Sequence, residues 1–333
     1  MGDTEGFFIG VDLGGTNIEA AAVQDGRILA SKKINTRAEK GAKGVIKRVE
    51  KLSRSVMKKI DAQPKDFQAL CIGAPGAVVL ETGVVSSAPN LDWQDVPLAE
   101  KLQDSLEIPV FVDNDVNIGV AGEYAYGAGA GAEHMVGIFV GTGIGGGVII
   151  QGEMYYGSRG AAGEIGHMVV EPKGRLCGCG KRGCVEAYAS KTAMLKAIQE
   201  KLAEGRQSIL EDMIDQNSLI LPSSLIAEAL DKGDKLMTEV LQEAQFYLAL
   251  LTANLVNTLD PDVIVFGGGL VEQLGDPFLI PIRETAREFY LQQTDAEKIR
   301  ILPSILGDHA GPIGAAVIAQ QRLKKKRSNK ELP

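Results

Sequence analysis

The sequence contains one structural unit twice: a short apolar strand, a glycine-rich turn and a second strand. The first copy spans 8–28 and includes the turn Asp12-Leu13-Gly14-Gly15-Thr16, and the second spans 135–157 and includes GTGIGGG at 141–147. Their separation far exceeds the period of roughly 20–50 residues that is typical of solenoid repeats. The pattern therefore predicts two domains of related α/β architecture.

Hydrophobic periodicity predicts the elements around these turns. The segment 7–33 is typical of three strands with a hairpin turn at Asp25-Gly26. Apolar residues at helical spacing then predict a helix over 45–60 and a long helix over 235–259. Buried strands are expected at 69–78 and 109–117, and a Gly-Pro loop followed by a terminal helix at the end of the chain.

Length and charge exclude several classes of protein. The chain has 333 residues, with 35 Lys and Arg against 43 Asp and Glu, and a net charge of −8. This balance argues against a dedicated nucleic-acid binder, which needs a positive surface. The sequence has no apolar run long enough for a membrane helix and no signal-peptide pattern at its start. We expect a cytoplasmic protein with neither a membrane nor a nucleic acid as partner.

The glycine turns match neither of the common nucleotide-binding motifs. Gly141, Gly143 and Gly146 satisfy G-x-G-x-x-G, but the strand-like VIIQ follows where a Rossmann fold needs a helix. A glycine turn between antiparallel strands can still bind an anion through backbone N–H groups. The first turn adds the Asp12 carboxylate, which suits a Mg²⁺-bound water, and the Thr16 hydroxyl, which suits a phosphate oxygen. With a third cluster at Gly267–Gly269, the pattern favours a nucleotide cleft over simple tight hairpins.

Three cysteines and a histidine have spacing typical of a metal site. Cys177, Cys179 and Cys184 follow His167 within a short glycine-rich segment. Three thiolates and an imidazole meet the tetrahedral preference of Zn²⁺. Four protein ligands leave no position for a catalytic water, so we expect a structural zinc ion. Unligated thiols are the alternative, but such a loop offers them little packing.

Polar residues at strand ends are the remaining candidates for chemistry. Asn114 and Asp115 end an apolar strand, a placement typical of active sites in α/β proteins, although a polar turn cap is the commoner explanation for the pair taken alone. The same alternative applies to Glu164 and Glu186, which gain interest because they flank the cysteine segment.

Taken together, the motifs resemble the ROK (repressor, open reading frame, kinase) family of sugar kinases, within the actin-like ATPase superfamily. The resemblance covers nearly the whole chain. It rests on DLGGT (12–16), GAPG (73–76), APN (88–90), DND (113–115), GTGIGGG (141–147), EIGH (164–167), CGCGKRGC-x-E (177–186) and GGG (267–269). One departure is Val116, where many relatives have alanine.

The resemblance implies an α/β fold of two ribonuclease-H-like domains with an ATP and sugar cleft between them and a zinc-bound loop. We expect a first domain at 1–118, completed by a C-terminal helix at about 310–328. The larger second domain, with the zinc site and the helical segment, is expected at 119–309. The resemblance also implies a homodimer.

The resemblance assigns a role to each candidate residue. Asp115 is expected to be the catalytic base. The expected sugar-binding residues are Asn90, Asn114, Asp115, Glu164, His167 and Glu186. The expected zinc ligands are His167, Cys177, Cys179 and Cys184. The expected nucleotide-binding residues are Asp12, Gly14, Gly15, Thr16, Gly141, Thr142, Gly143, Gly145, Gly267, Gly268 and Gly269.

The expected activity is transfer of phosphate from ATP, with Mg²⁺, to the 6-hydroxyl of glucose, as in glycolysis. The stretch 83–93 looks like the glucokinases of the family. An N-acetylhexosamine kinase is the nearest alternative, and the phosphate donor, ATP or polyphosphate, stays open. A sugar-sensing regulator and a zinc-stabilised scaffold are further alternatives. The regulator is disfavoured because the first phosphate loop begins at Asp12, which leaves no room for the helix-turn-helix arm of the family's repressors.

Overall fold

The computed structural model describes residues 6–214 and 221–328, which form two compact units. Unit 1 contains the described residues of Met1–Gly131, Tyr156–Ala162 and Asp308–Pro333. Unit 2 contains those of Ala132–Tyr155 and Gly163–Gly307. The chain therefore contributes to unit 1 three times, and each unit has a separate hydrophobic core.

The described residues contain both long strands and long helices. The strands are β1 (Phe7–Leu13), β2 (Asn17–Gln24), β3 (Arg27–Asn35), β4 (Phe67–Ala74), β5 (Ala77–Val79), β6 (Val84–Ala88), β7 (Trp93–Pro97), β8 (Val110–Asn114), β9 (Met135–Val140), β10 (Ile144–Ile150), β11 (Glu153–Met154), β12 (Val263–Gly267) and β13 (Arg300–Pro303). The helices are α1 (Gly41–Lys59), α2 (Leu98–Leu106), α3 (Asp115–Tyr126), α4 (Glu186–Ala189), α5 (Lys191–Ala203), α6 (Ser223–Asp231), α7 (Lys235–Leu259), α8 (Gly269–Leu274), α9 (Asp276–Glu288) and α10 (Ala310–Ser328).

Each unit is built on a five-stranded mixed sheet, and the two sheets have the same order. In unit 1 the order is β3-β2-β1-β4-β8, and in unit 2 it is β11-β10-β9-β12-β13. In both, three antiparallel strands joined by hairpins are followed by two strands parallel to the first. Unit 1 adds a three-stranded sheet, β5-β6-β7. The mixed sheets confirm the α/β class and are consistent with an actin-like ATPase fold.

Close backbone contacts hold α10 against the sheet of unit 1. A Cβ atom at Gly10 in β1 would lie 1.8 Å from the carbonyl oxygen of Pro312, and one at Gly314 would lie 1.7 Å from that of Ile118. Only glycine fits at such distances, so these positions set how closely α10 approaches β1 and α3. The last helix of the chain is thereby packed against its first strand.

Several predicted elements are present. The three strands at the start of the chain and the helix α7 are found, and α7 spans the predicted 235–259. The helix predicted over 45–60 is α1, which begins earlier, at Gly41, and ends at Lys59. No helix among the described residues is long and apolar enough to cross a membrane.

Other predicted boundaries were wrong. The strand predicted over 109–117 ends at Asn114, because the side chain of Asn114 accepts hydrogen bonds from the N–H groups of Val116 and Asn117 and so begins α3. The strand predicted over 69–78 ends at Ala74. Gly145, expected in a turn, lies inside β10, paired with Phe139. The predicted Gly-Pro loop is the first turn of α10, where Pro needs no N–H partner.

Candidate functional site

The first glycine turn connects β1 to β2 and is held by a residue that follows β3. The N–H of Gly14 donates to the carbonyl of Asn17 at 2.9 Å. Thr36 donates its hydroxyl to the carbonyl of Gly14 at 2.6 Å and its N–H to that of Thr16 at 2.7 Å. Among the described residues, the N–H groups of Gly15 and Thr16 have no hydrogen-bond acceptor. They are available to an anion, as a phosphate-binding turn requires.

Asp12 precedes this turn and has an unusual protonation equilibrium. Burial, followed by the charges of Asp115 and Glu19, raises the pKa of its carboxyl from 3.8 to about 7. Lys33 acts in the opposite direction. A carboxylate held among other carboxylates attracts a hard cation, which makes Asp12 a suitable residue for binding Mg²⁺ or its water.

The junction of β8 and α3 presents Asn114 and Asp115. Asn114 caps the helix and Asp115 is its first residue; both side chains are half-buried. The strand register places Asp12 beside Gly73 and Gly73 beside Asp113, so the ends of β1, β4 and β8 are adjacent. Unit 1 therefore brings Asp115 close to the first glycine turn.

A buried carboxylate, that of Asp113, holds this junction through hydrogen bonds. Asp113 is fully buried; its Oδ1 accepts the N–H of Asn114 at 2.8 Å and the Nδ2 of Asn117 at 3.0 Å. Its Oδ2 accepts the hydroxyl of Tyr156 at 2.8 Å and pairs with the guanidinium of Arg322 on α10. The partners satisfy the buried charge, which would otherwise cost several kcal/mol.

Asn90 lies on a short turn between β6 and β7, beside the first glycine turn. It is exposed, and a Cβ atom at Gly15 would lie 3.6 Å from its Cβ. Unit 1 thus brings together the predicted residues Asp12, Gly15, Asn90 and Asp115 on one side of its sheet.

The second glycine turn, in unit 2, is built like the first. The N–H of Gly141 donates to the carbonyl of Gly143 at 2.9 Å. The carbonyl of Gly141 accepts the N–H of Lys191 at 2.9 Å, and that of Thr142 accepts the hydroxyl of Thr192 at 2.8 Å. In the described chain, the N–H groups of Thr142 and Gly143 likewise have no acceptor.

The triple glycine adjoins this turn. Gly267 pairs with Phe139 at the end of β9, and a Cβ atom at Gly268 would lie 2.5 Å from the carbonyl oxygen of Val140. Gly268 also has a φ of +92°, which favours glycine. Unit 2 therefore brings Gly141–Gly143 and Gly267–Gly269 together, and their binding of a nucleotide stays a prediction.

The cysteine segment and His167 form a compact ligand set. The nitrogen and sulfur atoms of His167, Cys177, Cys179 and Cys184 all lie within 4.8 Å of one another. Cys177 Sγ is 3.7 Å from His167 Nδ1, and Cys179 Sγ is 3.7 Å from Cys184 Sγ. Tetrahedral zinc with Zn–S bonds of about 2.3 Å separates its sulfur ligands by roughly 3.8 Å. The four side chains therefore fit a zinc ion.

Thiol acidity in this set is uneven. Burial raises the pKa of the Cys177 thiol to about 12, whereas the backbone N–H of Lys181 is the main cause that lowers the pKa of Cys179. Thiols must lose their protons to bind zinc, so metal binding here would release protons. Gly183, with a φ of +81°, allows the loop to turn back against the carbonyl of Glu171.

Glu186 links the cysteine segment to the second glycine turn. Its Oε2 accepts the N–H of Ile144 at 2.9 Å, directly after the turn. Its Oε1 lies 3.4 Å from Cys177 Sγ and 3.9 Å from His167 Nδ1. One oxygen of this predicted sugar ligand is thus already bonded to the backbone of β10, an arrangement that the sequence did not indicate.

Glu164 and His167 flank a short turn that lies directly on β10. A Cβ atom at Gly166 would be 2.1 Å from the carbonyl oxygen of Ile144, so glycine permits this contact. The Glu164 side chain is 71% exposed, and its Oε2 is 4.0 Å from His167 Nε2. With Nδ1 directed at Cys177, the Nε2 of His167 is on the side of Glu164, where a hydroxyl ligand could reach both.

Sequence reasoning missed six residues that support these sites. They are Thr36, Asp113, Tyr156, Lys191, Thr192 and Arg322. Asp113 belongs to the DND motif, so its position beside Asp115 was a usable signal. The other five act on residues that are distant in sequence, and no local pattern identifies them.

Comparison with known proteins gives four findings that agree on the family. The ROK family model matches residues 8–322. The glucokinase of Halalkalibacterium halodurans is 35% identical over 322 residues, which cover 95% of this chain and 96% of the relative. The xylose repressor of Caldicellulosiruptor bescii is 30% identical over 91% of this chain and 77% of its own length. The crystal structure of a ROK family glucokinase from Streptomyces griseus in complex with glucose and AMPPNP superposes with a TM-score of 0.80 at 34% identity, covering 95% of this chain and all of that chain.

Proposed function

The chain belongs to the ROK family, and on this premise we propose that it is an ATP-dependent kinase that forms glucose 6-phosphate from glucose. The observation that carries the proposal is the arrangement in unit 1: a candidate base, Asp115, beside a turn whose N–H groups are free to bind phosphate. Similarity to named glucokinases supports glucose as the sugar.

The proposed reaction is an in-line transfer. Asp115 accepts the proton of the sugar 6-hydroxyl while that oxygen bonds to the γ-phosphorus of ATP. The bond from this phosphorus to the bridging oxygen breaks, and ADP leaves with the electron pair. Bound Mg²⁺ would neutralise charge on the phosphates, and Asp12 is the residue proposed to hold it or its water.

Binding of both substrates follows from the chemistry of the proposed ligands. Backbone N–H groups of the two glycine turns, with Thr16, bind phosphate oxygens. The triple glycine, together with Gly145, completes the proposed nucleotide-binding set. The sugar hydroxyls are held by Asn90, Asn114, Glu164, His167 and Glu186, which offer both donors and acceptors.

We also propose a structural role for zinc bound by His167, Cys177, Cys179 and Cys184. The ion would fix the segment that joins Glu164 to Glu186. A cytoplasmic homodimer that uses ATP rather than polyphosphate completes the proposal.

Two alternatives are tested alongside glucose phosphorylation. An N-acetylhexosamine kinase needs only a different pocket wall around the same base. A sugar-responsive regulator is favoured by similarity to a xylose repressor. The two classes differ in one measurable property, since a regulator binds sugar without turning it over.

The test is sugar-dependent release of ADP, measured with glucose, mannose, fructose, N-acetylglucosamine and N-acetylmannosamine. We expect the highest kcat/KM with glucose. Asp115→Asn should lower kcat by ~10²–10⁴ while glucose affinity, measured by calorimetry, stays within a small factor. Glucose binding with no ADP release from the wild-type protein would favour the regulator, and a preference for an acetamido sugar would replace glucose as the substrate.

A further inference from the structure

We propose that Thr36 and Thr192 are positioning residues, each of which orients a backbone N–H of one glycine turn toward a nucleotide phosphate. The inference rests on the proposed kinase function and extends it to two residues outside the recognised motifs. Neither side chain is assigned to contact the nucleotide itself.

The role of Thr36 follows from the geometry of a peptide bond. In a trans peptide the C=O of one residue and the N–H of the next point in opposite directions. The structure contains no cis peptide among its described residues. The 2.6 Å hydrogen bond from the Thr36 hydroxyl to the Gly14 carbonyl therefore directs the N–H of Gly15 away from Thr36.

That N–H is one of the two without an acceptor in the first turn. Gly15 itself is exposed, whereas Thr36 is fully buried behind the turn. A second bond, from the N–H of Thr36 to the Thr16 carbonyl, fixes the other side of the turn. One buried residue thus controls the orientation of two peptide groups.

Thr192 stands in the same relation to the second turn. Its hydroxyl donates to the Thr142 carbonyl at 2.8 Å, which directs the N–H of Gly143 away from α5. The N–H of Lys191, donating to the Gly141 carbonyl at 2.9 Å, directs the N–H of Thr142 in the same manner. The two N–H groups that lack acceptors in this turn, those of Thr142 and Gly143, therefore belong to the two peptides whose carbonyls accept hydrogen bonds from α5.

The recurrence distinguishes this arrangement from chance. Two turns in two separate units each have a threonine hydroxyl on a carbonyl, supplied by a residue outside the turn. In both, the peptide so held ends in an N–H with no acceptor among the described residues. Ordinary hairpin stability needs neither bond, because the flanking strands are already paired.

The test uses variants that remove only the hydroxyl. Thr36→Val and Thr192→Val keep the branched shape, whereas Thr36→Ser and Thr192→Ser keep the donor. Thr252→Val is the matched control, because buried Thr252 donates its hydroxyl to the Leu248 carbonyl at 2.8 Å within α7, away from both turns. KM for ATP, KM for the sugar, kcat and the Kd of Mg·ADP by calorimetry are measured well below the unfolding temperature.

We expect each valine variant to raise the Kd of Mg·ADP and KM for ATP about tenfold, the effect of losing one well-placed hydrogen bond. KM for the sugar should change less than about twofold, and the serine variants should restore nucleotide affinity. Thr252→Val should leave both nucleotide constants unchanged.

Wild-type nucleotide constants in both valine variants would overturn the inference while leaving the kinase function intact. So would an equal rise in nucleotide and sugar constants, which indicates general loosening. Failure of the wild-type protein to bind Mg·ADP or release ADP would instead overturn the proposed function. If Thr36→Val does not fold, half-buried Thr192 provides the same test in unit 2.

Discussion

Asp12, proposed to hold Mg²⁺ or its water, lowers the stability of the ligand-free protein when its carboxyl is charged. Its pKa of about 7 lies well above 3.8, because burial and neighbouring carboxylates disfavour the charged form. The folded state thus keeps a proton that the unfolded chain has lost. Its contribution to stability is present below pH 3.8 and is lost as pH rises through 7. A cation bound to Asp12 would stabilise the charged carboxylate and so offset this loss of stability.

Asp12→Asn should therefore stabilise the ligand-free protein at alkaline pH. At pH 8 we expect a gain on the order of 2 kcal/mol in the free energy of unfolding, since a neutral amide replaces a disfavoured charge. Below pH 3.8, where the carboxyl is protonated in both the folded and the unfolded state, the two proteins should unfold at nearly the same urea concentration. Asp25→Asn, at an exposed hairpin turn, is the control and should change neither value. Equal urea midpoints for wild type and Asp12→Asn at pH 8 would contradict the prediction.

At the same scale, the sequence indicated residues within motifs but not those that support them. Asp12, Asn114 and Asp115 follow buried strands, a position with chemical meaning in any α/β protein. Thr36 acts on a carbonyl 22 residues away, and Arg322 pairs with a carboxylate 209 residues away. Such pairs arise only from the tertiary fold, so no local pattern predicts them.

The β8–α3 junction depends on an ion pair supplied by another element. Arg322→Met on α10 would leave the buried Asp113 carboxylate without its cation, which typically costs about 3–5 kcal/mol. Tyr156→Phe removes one neutral donor and should cost about 1 kcal/mol. Urea unfolding measures both, and kcat should fall more in the arginine variant because Asp115 directly follows Asn114 and Asp113. A larger loss for the tyrosine variant would contradict this ranking.

The cysteine segment should depend on its metal. Cys179→Ser is expected to lose the zinc and to weaken sugar binding by roughly 10–100-fold, the range seen when support of a site is removed. Nucleotide affinity should fall less, because the hydrogen bond from the Ile144 N–H to Glu186 does not involve the thiol of Cys179. Elemental analysis and separate calorimetry for sugar and Mg·ADP measure both effects.

Cys71→Ala is the matched control, since Cys71 is buried alone in β4 and should keep the metal when replaced. Active wild-type protein without zinc would contradict the first half of the prediction. Equal losses of sugar and nucleotide affinity would contradict the second.

Helices and strands were predicted well where a hydrophobic pattern extends over many residues. They were predicted poorly where a single cap or contact determines where an element ends. The 25-residue helix α7 has many apolar positions that agree on one face. By contrast, the end of β8 is decided by one side chain, Asn114. Gly145 was placed in a turn because glycine is common in turns, yet it pairs with Phe139 inside β10. The next residue, Gly146, lacks a side chain that would meet Ile165, so the segment at 163–166 can pack on the strand.

At the scale of the whole molecule, unit 1 depends on three separated stretches of chain. The repeated turn predicted two related halves, and the two sheets do share one strand order. The domain boundaries predicted at 118 and 309 stay a prediction. The excursion of Tyr156–Ala162 into unit 1 was not predicted, because its few contacts, such as Tyr156 with Asp113, carry no sequence signal.

A chain that stops after Leu306 should lose the fold of unit 1 but keep that of unit 2. Without α10, the buried face of β1 and the Asp113 carboxylate lose their cover and their cation. Hydrogen exchange read by mass spectrometry should show unprotected amides in β1 and β4 and protected amides in β9 and β12. Bound zinc should remain. Full protection of β1 in the shortened chain would contradict the prediction.

The contact between the first strand and the last helix also sets an order of events during synthesis. Apart from α10, all the helices and sheet strands of unit 1 lie within residues 7–126. The ribosome must still make about 180 residues after this segment before α10 begins. At roughly 5–20 residues per second, the nascent segment 7–126 waits on the order of 10–40 s for α10. During that interval the apolar face awaiting α10 is open to chaperones and to neighbouring nascent chains.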